Sequence, residues 1–212
     1  TEGADSMGLL AQSIGGGGGL AGQTYGDALI LGGSMSGSSQ GGSVTVTNRA
    51  GITTQGVNAA GLVAQSIGGG GGAAAKVTGT LSRLGASGST LANAGDVTVR
   101  NSGVLQTSSN GSPALLLQSI AGGGGVIAET NALASYDVTL AGSALGQAIA
   151  GDVTLNNTGN AIVTAGAYSP GLIAQSIGGG GGWSLLRSSP DAQLGSQGGT
   201  SLGAGNVSVI NN

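Results

Sequence analysis

The chain contains no cysteine, no histidine and no phenylalanine in its 212 residues. Without His or Cys it has no residues for a Cys/His zinc site, a Ser-His-Asp triad, a cysteine nucleophile or a disulfide framework. Only five residues are basic and eight are acidic, which gives a net charge of −3. The basic residues are dispersed along the chain, so we expect no nucleic-acid partner. We also predict no cofactor and no metal.

Aromatic residues and long hydrophobic runs are scarce as well. The chain has three tyrosines and one tryptophan, and no window of 18 apolar residues that would make a transmembrane helix. Glycine accounts for 48 residues, which raises the question of disorder, but the net charge is small and 39% of the residues are hydrophobic. Small aliphatic side chains suit a thin core repeated along an axis better than a wide globular core.

One sequence block occurs four times, and each copy is followed by a run of four or more glycines. The copies are GLLAQSIG at 8–15, GLVAQSIG at 61–68, ALLLQSIA at 114–121 and GLIAQSIG at 171–178. A second block with the pattern V-T-V-x-N keeps the same period, at 44–48, 97–101, 153–157 and 207–211. This period predicts one continuous segment of about four repeats, 1–53, 54–106, 107–163 and 164–212. Because the chain begins and ends inside a repeat, we expect it to be cut from a longer array.

The residue pattern within a repeat is typical of short strands. Val44 and Val46 alternate with polar residues at period two, and Asn and Gly follow each such strand, as turns require. Apolar residues show no sustained helical spacing, and each glycine would cost a helix roughly 1 kcal/mol relative to alanine. The sequence therefore predicts an all-β fold, a β-solenoid and most specifically a right-handed parallel β-helix.

The number of coils in each repeat has two interpretations. One repeat forms two coils, or it forms one coil with an excursion of about 22 residues after the glycine run. We favour two coils, which would place equivalent glutamines about 9–10 Å apart, twice the strand spacing of ~4.8 Å.

The glycine runs are either solvated flexible loops or ordered extended segments. Their length and position are kept within this chain while neighbouring segments vary, which favours glycines stacked in register with those of adjacent repeats. Both Leu62 and Val63 are apolar, which predicts that this strand is covered on each face, by the glycine segment on one of them.

The Gln-Ser pair of the repeated block is a candidate polar site or a structural ladder. Identical amides on successive strands hydrogen-bond along the stacking axis, or they satisfy the backbone of the glycine run. We interpret the pairs as a structural ladder, formed by Gln12, Gln65, Gln118 and Gln175 with Ser13, Ser66, Ser119 and Ser176.

Several short motifs match catalytic or metal-binding sites, but each lacks the other residues that such a site needs. The glycine runs lack the following Gly-Lys-Ser/Thr of a phosphate loop and the aspartates of a calcium β-roll. The two Gly-x-Ser-x-Gly matches have no histidine base, and we expect no two acidic residues to lie in one strand or turn. Asp96 and Asp152 stand where other repeats have Ser43 and Asn206, which indicates a turn cap. A Thr-x-Thr ice-binding array breaks after one repeat. We predict no enzymatic activity.

Trp183 follows the fourth glycine run, where other repeats have Leu20, Ala73 and Val126. It covers the glycine backbone or stacks on a sugar, and it is the one candidate ligand contact.

The repeated Gly-Leu-x-Ala-Gln-Ser-Ile with its glycine run, preceded by the V-T-V-x-N block, resembles the passenger regions of large Gram-negative autotransporters. These are adhesin-like proteins of type V secretion. The resemblance covers essentially the whole chain, although no binding residue can be transferred from it. It implies a long β-helix on the cell surface, carried outward by the protein's own C-terminal β-barrel in the outer membrane. Host or neighbouring-cell surface molecules are the implied partners.

The function that we expect is therefore a structural and adhesive segment, acting as a rigid spacer or an adhesion surface. The variable segments, about residues 20–42, 73–95, 126–150 and 183–205, are the expected places for contacts that differ between repeats. The alternatives are a glycan-binding or glycan-cleaving β-helix of a surface protein and self-association between cells.

Overall fold

The fold is described from a computed structural model, which describes residues 1–159, 161–186, 191–195 and 201–212. All regular structure in this part of the chain is β, and the described residues include no helix that could cross a membrane. The strands are β1 (Leu9–Ile14), β2 (Gly18–Ala21), β3 (Thr24–Tyr25), β4 (Ala28–Leu31), β5 (Ser34–Ser38), β6 (Val44–Asn48), β7 (Ile52–Thr54), β8 (Leu62–Ile67), β9 (Gly71–Leu84), β10 (Ser87–Leu91), β11 (Val97–Asn101), β12 (Leu105–Thr107), β13 (Leu115–Ile120), β14 (Gly124–Leu140), β15 (Ser143–Ile149), β16 (Val153–Asn157), β17 (Ile162–Thr164), β18 (Leu172–Ile177), β19 (Gly181–Leu186), β20 (Asp191–Leu194), β21 (Ser201–Gly203) and β22 (Val207–Asn211).

Equivalent strands of successive repeats pair in parallel, and in the described ranges they form five sheets. We call them the Gln sheet (β1, β8, β13, β18), the Asn sheet (β6, β11, β16, β22), the Thr sheet (β7, β12, β17), the Gly sheet (β2, β9, β14, β19, with β3, β4 and β20) and the closing sheet (β5, β10, β15, β21). A layer is the set of strands from one repeat, β1–β7, β8–β12, β13–β17 and β18–β22. The prediction of an all-β fold with stacked parallel strands is confirmed.

Successive layers lie one strand spacing apart. Gln12 is the register partner of Gln65, Gln65 of Gln118 and Gln118 of Gln175, with no strand between them. The prediction of two coils in each repeat is therefore wrong. The segment after the glycine run does not form a second coil, because its strands belong to the Gly and closing sheets of the same layer.

The main core lies on one face of the Gln sheet. Leu62, Ala64, Leu115 and Leu117 pack there against the valines of the Asn sheet and Leu105 of the Thr sheet. Alternate residues of β6 and β11 are buried, which is the period-two pattern that the sequence shows. Stacked layers thus bury continuous aliphatic columns, and this burial is the main apolar stabilisation of the fold.

The opposite face of the Gln sheet is also covered. Val63 and Leu116 pack there against Ala73 and Val126 of the Gly sheet. All six residues of β8 are buried, so the prediction from adjacent Leu62 and Val63 is confirmed. Two smaller clusters lie away from the Gln sheet, one around Leu84 and Leu140 and one made of alanines.

The glycine runs are ordered and stack in register. Gly18, Gly71, Gly124 and Gly181 are successive partners, and so are Gly19, Gly72, Gly125 and Gly182. With Ala121 counted as the first position of the third run, φ lies between +75° and +91° at the second and third positions of every run, and between +131° and +143° at the fourth and fifth. These are conformations that residues with side chains rarely adopt, so the runs require glycine for their backbone path.

Close approach between layers requires glycine as well. A Cβ on Gly71 would overlap the carbonyl oxygen of Gly124, and one on Gly124 would overlap that of Gly181. The first position of the run differs, because its φ is not positive in any repeat, and there the third repeat has Ala121. The single departure from glycine therefore falls at the one position of the run without a positive φ. In the other repeats a Cβ at this position would still overlap a backbone carbonyl oxygen, that of Gln40, Asn93 or Gly203.

Candidate functional site: internal polar columns and an aromatic groove

The glutamines form a continuous column between the Gln and Gly sheets. The Nε2 atom of Gln12 donates to Oε1 of Gln65 at 2.6 Å, Gln65 donates to Gln118 at 2.7 Å, and Gln118 donates to Gln175 at 2.7 Å. Gln65 and Gln118 are completely buried. A buried amide without a partner is costly, so the column ties each layer to the next at a fixed register.

The serines of the same block lie on the other face and bond to backbone. The hydroxyl of Ser66 donates to the Gly42 carbonyl at 2.8 Å and accepts from the Gly95 N–H at 2.8 Å. Ser119 makes the same two bonds with Gly95 and Gly151, and Ser176 makes them with Gly151 and Gly205. Ser13 accepts from the Gly42 N–H at 2.8 Å. Each bridging hydroxyl therefore joins the segments that precede the Asn-sheet strands of two layers.

A second amide column runs through the Asn sheet, and the sequence reasoning missed it by assigning these residues to turns. Asn48 donates to Asn101, Asn101 to Asn157 and Asn157 to Asn211, each through Nδ2 to Oδ1 at 2.6 Å. Asn101 also donates to the Gly103 carbonyl at 2.7 Å. The identical recurrence of Asn at the end of each V-T-V block was the signal for this ladder.

Asp96 and Asp152 cap the entry to the Asn-sheet strands. The Oδ1 atom of Asp96 accepts from the Asp152 N–H at 2.9 Å, and that of Asp152 accepts from the Asn206 N–H at 2.7 Å. Ser43 does the same for the Asp96 N–H at 3.3 Å. The carboxylates thus satisfy backbone groups of the next layer, whereas the sequence predicted a cap of their own turn.

Trp183 lines a groove in the fourth layer. It pairs with Val126 in the Gly sheet and packs, partly buried, against the cluster that includes Val63 and Leu116. Its exposed side faces a groove of about 490 Å³, lined by Gly166, Tyr168, Ser169, Pro170, Trp183, Ser184 and Leu185. The tryptophan therefore covers the core. All residues of this groove belong to the fourth layer, and the equivalent third-layer residues Ser112, Val126 and Ile127 are buried.

Tyr168, which also lines this groove, has an unusual backbone. Its φ is +56°, and it is 70% exposed. The equivalent positions hold Asp5, Asn58 and Gly111, with φ of +61°, +58° and +67°. Asp, Asn and Gly tolerate the left-handed region, whereas for a bulky side chain it costs roughly 1–2 kcal/mol. The fourth repeat therefore holds a strained tyrosine where its neighbours have permissive residues.

The two serine hydroxyls of the groove differ in their hydrogen bonding. The Ser169 hydroxyl accepts from the Ser112 N–H at 3.0 Å and donates to the Ser109 carbonyl at 2.9 Å. The Ser184 hydroxyl, in contrast, is buried and has no hydrogen-bond partner. The backbone of the groove is therefore held by the turn of the previous layer.

A second groove among the described residues contains charged side chains. A smaller groove of about 230 Å³ on the outside of the Asn sheet is lined by Thr47, Asn48, Arg49, Arg100, Asn101, Ser102, Asn156 and Thr158. Among the described residues, no three acidic side chains come together to hold a metal ion. Arg187 lies outside the described residues, as do parts of the variable segment 183–205.

Comparison with known proteins found no match to the chain among family models, curated proteins or solved structures.

Proposed function

We propose that the chain is a β-solenoid, a right-handed parallel β-helix, and that it serves as a rigid segment of a surface-exposed autotransporter passenger. In this role it holds or presents an adhesive surface and catalyses no reaction. Its partners would be molecules on host or neighbouring cells, and its anchor would be the protein's own outer-membrane β-barrel.

The observation that carries this proposal is the pair of amide columns that continue through every layer. Gln12 to Gln175 and Asn48 to Asn211 are joined by hydrogen bonds of 2.6–2.7 Å. Together with residue-by-residue pairing in the Gln and Asn sheets, they hold each layer to the next across the whole cross-section. A stack bound in this way resists bending and sliding, which is the property that a rigid segment needs.

The composition also supports a surface role. A chain without cysteine can pass through a secretion pore unfolded with no disulfide to rearrange. Layers that each pair with the previous one can fold in succession, since stability grows from nearest-neighbour contacts. The resemblance of the repeated block to autotransporter passengers supports the same location.

A mechanical measurement tests the proposal. We expect the chain, pulled from its two ends by force spectroscopy, to lose layers one at a time. Release of a layer of 53 residues should lengthen the chain by roughly 180 Å, at ~3.3–3.6 Å per extended residue. Gln65→Ala should lower the force of release because it breaks the buried column, whereas Gln106→Ala, at an exposed position, should leave it unchanged. Gradual extension without steps would contradict a rigid stack.

Location and adhesion need a separate test. Protease treatment of intact cells that produce the full-length protein should remove this segment while cytoplasmic proteins survive. The purified chain should bind target cells or, if it mediates contacts between copies, show concentration-dependent dimers in sedimentation. Protection of the segment in intact cells would contradict the proposed location.

A further inference from the structure

Stacking brings together two basic residues that are far apart in the sequence. Arg49 and Arg100 line the same groove on the outer face of the Asn sheet, which we call the arginine groove. Arg100 is the register partner of Thr47, and Arg49 follows Thr47 by two residues. All three are exposed while Asn48 is buried, so their side chains lie on the same face of the sheet. Two of the five basic residues of the chain therefore meet in one place.

The arginine groove spans three layers of the stack. Its residues come from β6, β11 and β16 and from the turns that follow these strands. Arg100, Ser102 and Asn156 are exposed although a layer lies on either side of them. Their exposure therefore comes from the outward direction of their side chains and does not depend on a neighbouring layer being absent.

Both arginines depart from the repeat. The other layers have neutral residues at these positions, in the columns Thr47, Arg100, Asn156, Ile210 and Arg49, Ser102, Thr158, Asn212. No ion pair or hydrogen bond joins either arginine to another described residue. Like charges on neighbouring strands repel, so folding alone gives no reason to place two arginines side by side.

Carboxylates do not neutralise the groove. None of the described residues that line it is acidic, and Asn160, which lies outside the described ranges in the same turn, is neutral. Asp96 and Asp152 lie at the other end of the Asn-sheet strands, where their Oδ1 atoms accept from backbone N–H groups. Asp96 precedes Arg100 by four residues, about 13 Å along a strand, which exceeds the Debye length of about 8 Å in physiological salt. The two guanidinium groups are therefore available to an external anion.

From these observations we propose that the arginine groove binds an acidic saccharide through a sulfate or carboxylate group. A planar guanidinium donates two parallel N–H bonds to such an oxyanion. The side chains of Thr47, Ser102, Asn156 and Thr158 supply donors and acceptors for the hydroxyl groups of the sugar. The groove measures about 230 Å³, below the roughly 300–1,000 Å³ of pockets for drug-sized molecules, so it takes one charged group and the sugar that carries it.

The composition of the groove disfavours other anionic ligands. Its lining contains no aromatic residue on which a nucleobase could stack, and two arginines neutralise few of the phosphates that drive nucleic-acid binding. An extended peptide binds along a free strand edge, whereas this groove lies on the face of a sheet. Saccharide binding goes beyond the mechanical role, and either can fail without the other.

Calorimetric titration of the purified chain tests the proposal. The probes are a sulfated tetrasaccharide prepared from heparin, a hyaluronan tetrasaccharide with carboxylates only, and neutral maltotetraose. We expect at least one acidic tetrasaccharide to bind in the micromolar to millimolar range, more weakly as the salt concentration rises, and maltotetraose not to bind. Oligothymidylate and a phosphoserine peptide form the comparison arms. Failure of both acidic sugars to bind, equal binding of maltotetraose, or tighter binding of the DNA or the peptide would overturn the proposal.

Two variants copy residues of neighbouring layers and so keep the fold. Arg100→Asn copies Asn156, and Arg49→Ser copies Ser102. Each should weaken binding of the acidic sugar by roughly tenfold, because a charge-assisted hydrogen bond is lost. Arg100→Lys keeps the charge without the planar fork and should weaken binding less than Arg100→Asn.

The matched control removes a positive charge from another sheet. Arg83→Thr copies Thr139, the register partner of Arg83 in the Gly sheet, and it changes the net charge by the same amount. It should leave affinity unchanged. An equal loss of affinity in Arg83→Thr would indicate attraction to the chain as a whole and would contradict a site in the groove.

Stability separates a binding role from a structural one. Because other layers have neutral residues at these positions, neither Arg100→Asn nor Arg49→Ser should lower the unfolding temperature. A lower unfolding temperature with unchanged affinity in both variants would assign the arginines to the fold, and the proposal would fail.

Discussion

Each layer has two halves, the repeated blocks and the variable segment, and the two differ in how regularly their strands pair with those of the next layer. In the Gln, Asn and Thr sheets, the strands pair residue by residue with no register shift. The closing sheet and the far part of the Gly sheet contain irregularities, such as the shift between Ala132 and Asp137. In the repeated blocks, side-chain contacts fix the register between layers. In the variable segments, the register depends on backbone hydrogen bonds.

The lengths of the repeats show the consequence of this difference. Five positions separate Ala132 from Asp137 in the third layer, but two separate their partners Gly79 and Leu81 in the second. The three additional residues account for the change in spacing of the V-T-V block from 53 to 56 residues. The Gln and Asn columns continue past this insertion unbroken. The variable half thus takes three of the four additional residues of this layer, and the fourth lies between Asn157 and Ile162, in the turn between the Asn and Thr sheets.

The largest difference between the two halves should appear when the same three-residue insertion is placed in each of them. Three residues inserted after Ala64 would send Gln65, Ser66 and Ile67 to the opposite faces of the Gln sheet, because side chains alternate with period two. We expect this variant to lose its cooperative unfolding transition in guanidinium, followed by far-UV circular dichroism. The matched variant, with the same three residues after Gly79, should lose about 1 kcal/mol or less of unfolding free energy. Equal losses in the two variants would show that the halves do not differ.

A glycine substitution tests the backbone component. Gly71→Ala places a Cβ against the Gly124 carbonyl at a φ of +131°, so overlap and strain act together. We expect it to lower the free energy of unfolding by about 3 kcal/mol or more. In Gly22→Ala, where a Cβ meets nothing within 4 Å, the change should stay within about 0.5 kcal/mol. A tolerated Gly71→Ala would mean that the runs are not closely stacked.

An amide substitution tests the side-chain component. Asn101→Ala removes the bonds to Asn48, Asn157 and the Gly103 carbonyl, and it leaves buried groups without partners. We expect it to lower the free energy of unfolding by about 2 kcal/mol. The neighbouring Arg100→Ala, at an exposed position, is the control and should change it by about 0.5 kcal/mol at most. A similar small change in both would show that the ladder contributes little.

Repetition made part of this structure predictable from sequence. Similar blocks at one period indicated which residues stack, and the recurrence of the glycine runs at a fixed position indicated ordered backbone. Repetition says nothing about how many residues one layer contains, so the two-coil prediction failed. Segments such as Ser34–Ser38 and Ser87–Leu91 lack an alternating apolar pattern, and they become strands only because the neighbouring layer pairs with them.

The polar columns and the groove were predictable to different degrees. The asparagines recur as regularly as the glutamines, but an Asn after a strand is also the usual turn residue, so sequence alone did not separate the two roles. Trp183 was identified because the other repeats have small or aliphatic residues at its position, Leu20, Ala73 and Val126. Tyr168 was missed, since its significance depends on a positive φ that a variable column of Asp, Asn, Gly and Tyr does not reveal.

Because each repeat forms a single layer, the protein has a large cross-section relative to its length along the stacking axis. A repeat of 53 residues advances by one strand spacing, about 4.8 Å, which is roughly 0.1 Å for each residue against ~1.5 Å in an α-helix. Length along the stacking axis is therefore gained slowly, and four further repeats would add only about 19 Å. Most residues instead enlarge the cross-section of each layer. A force applied to one side of the stack is therefore distributed over the strands of all its sheets.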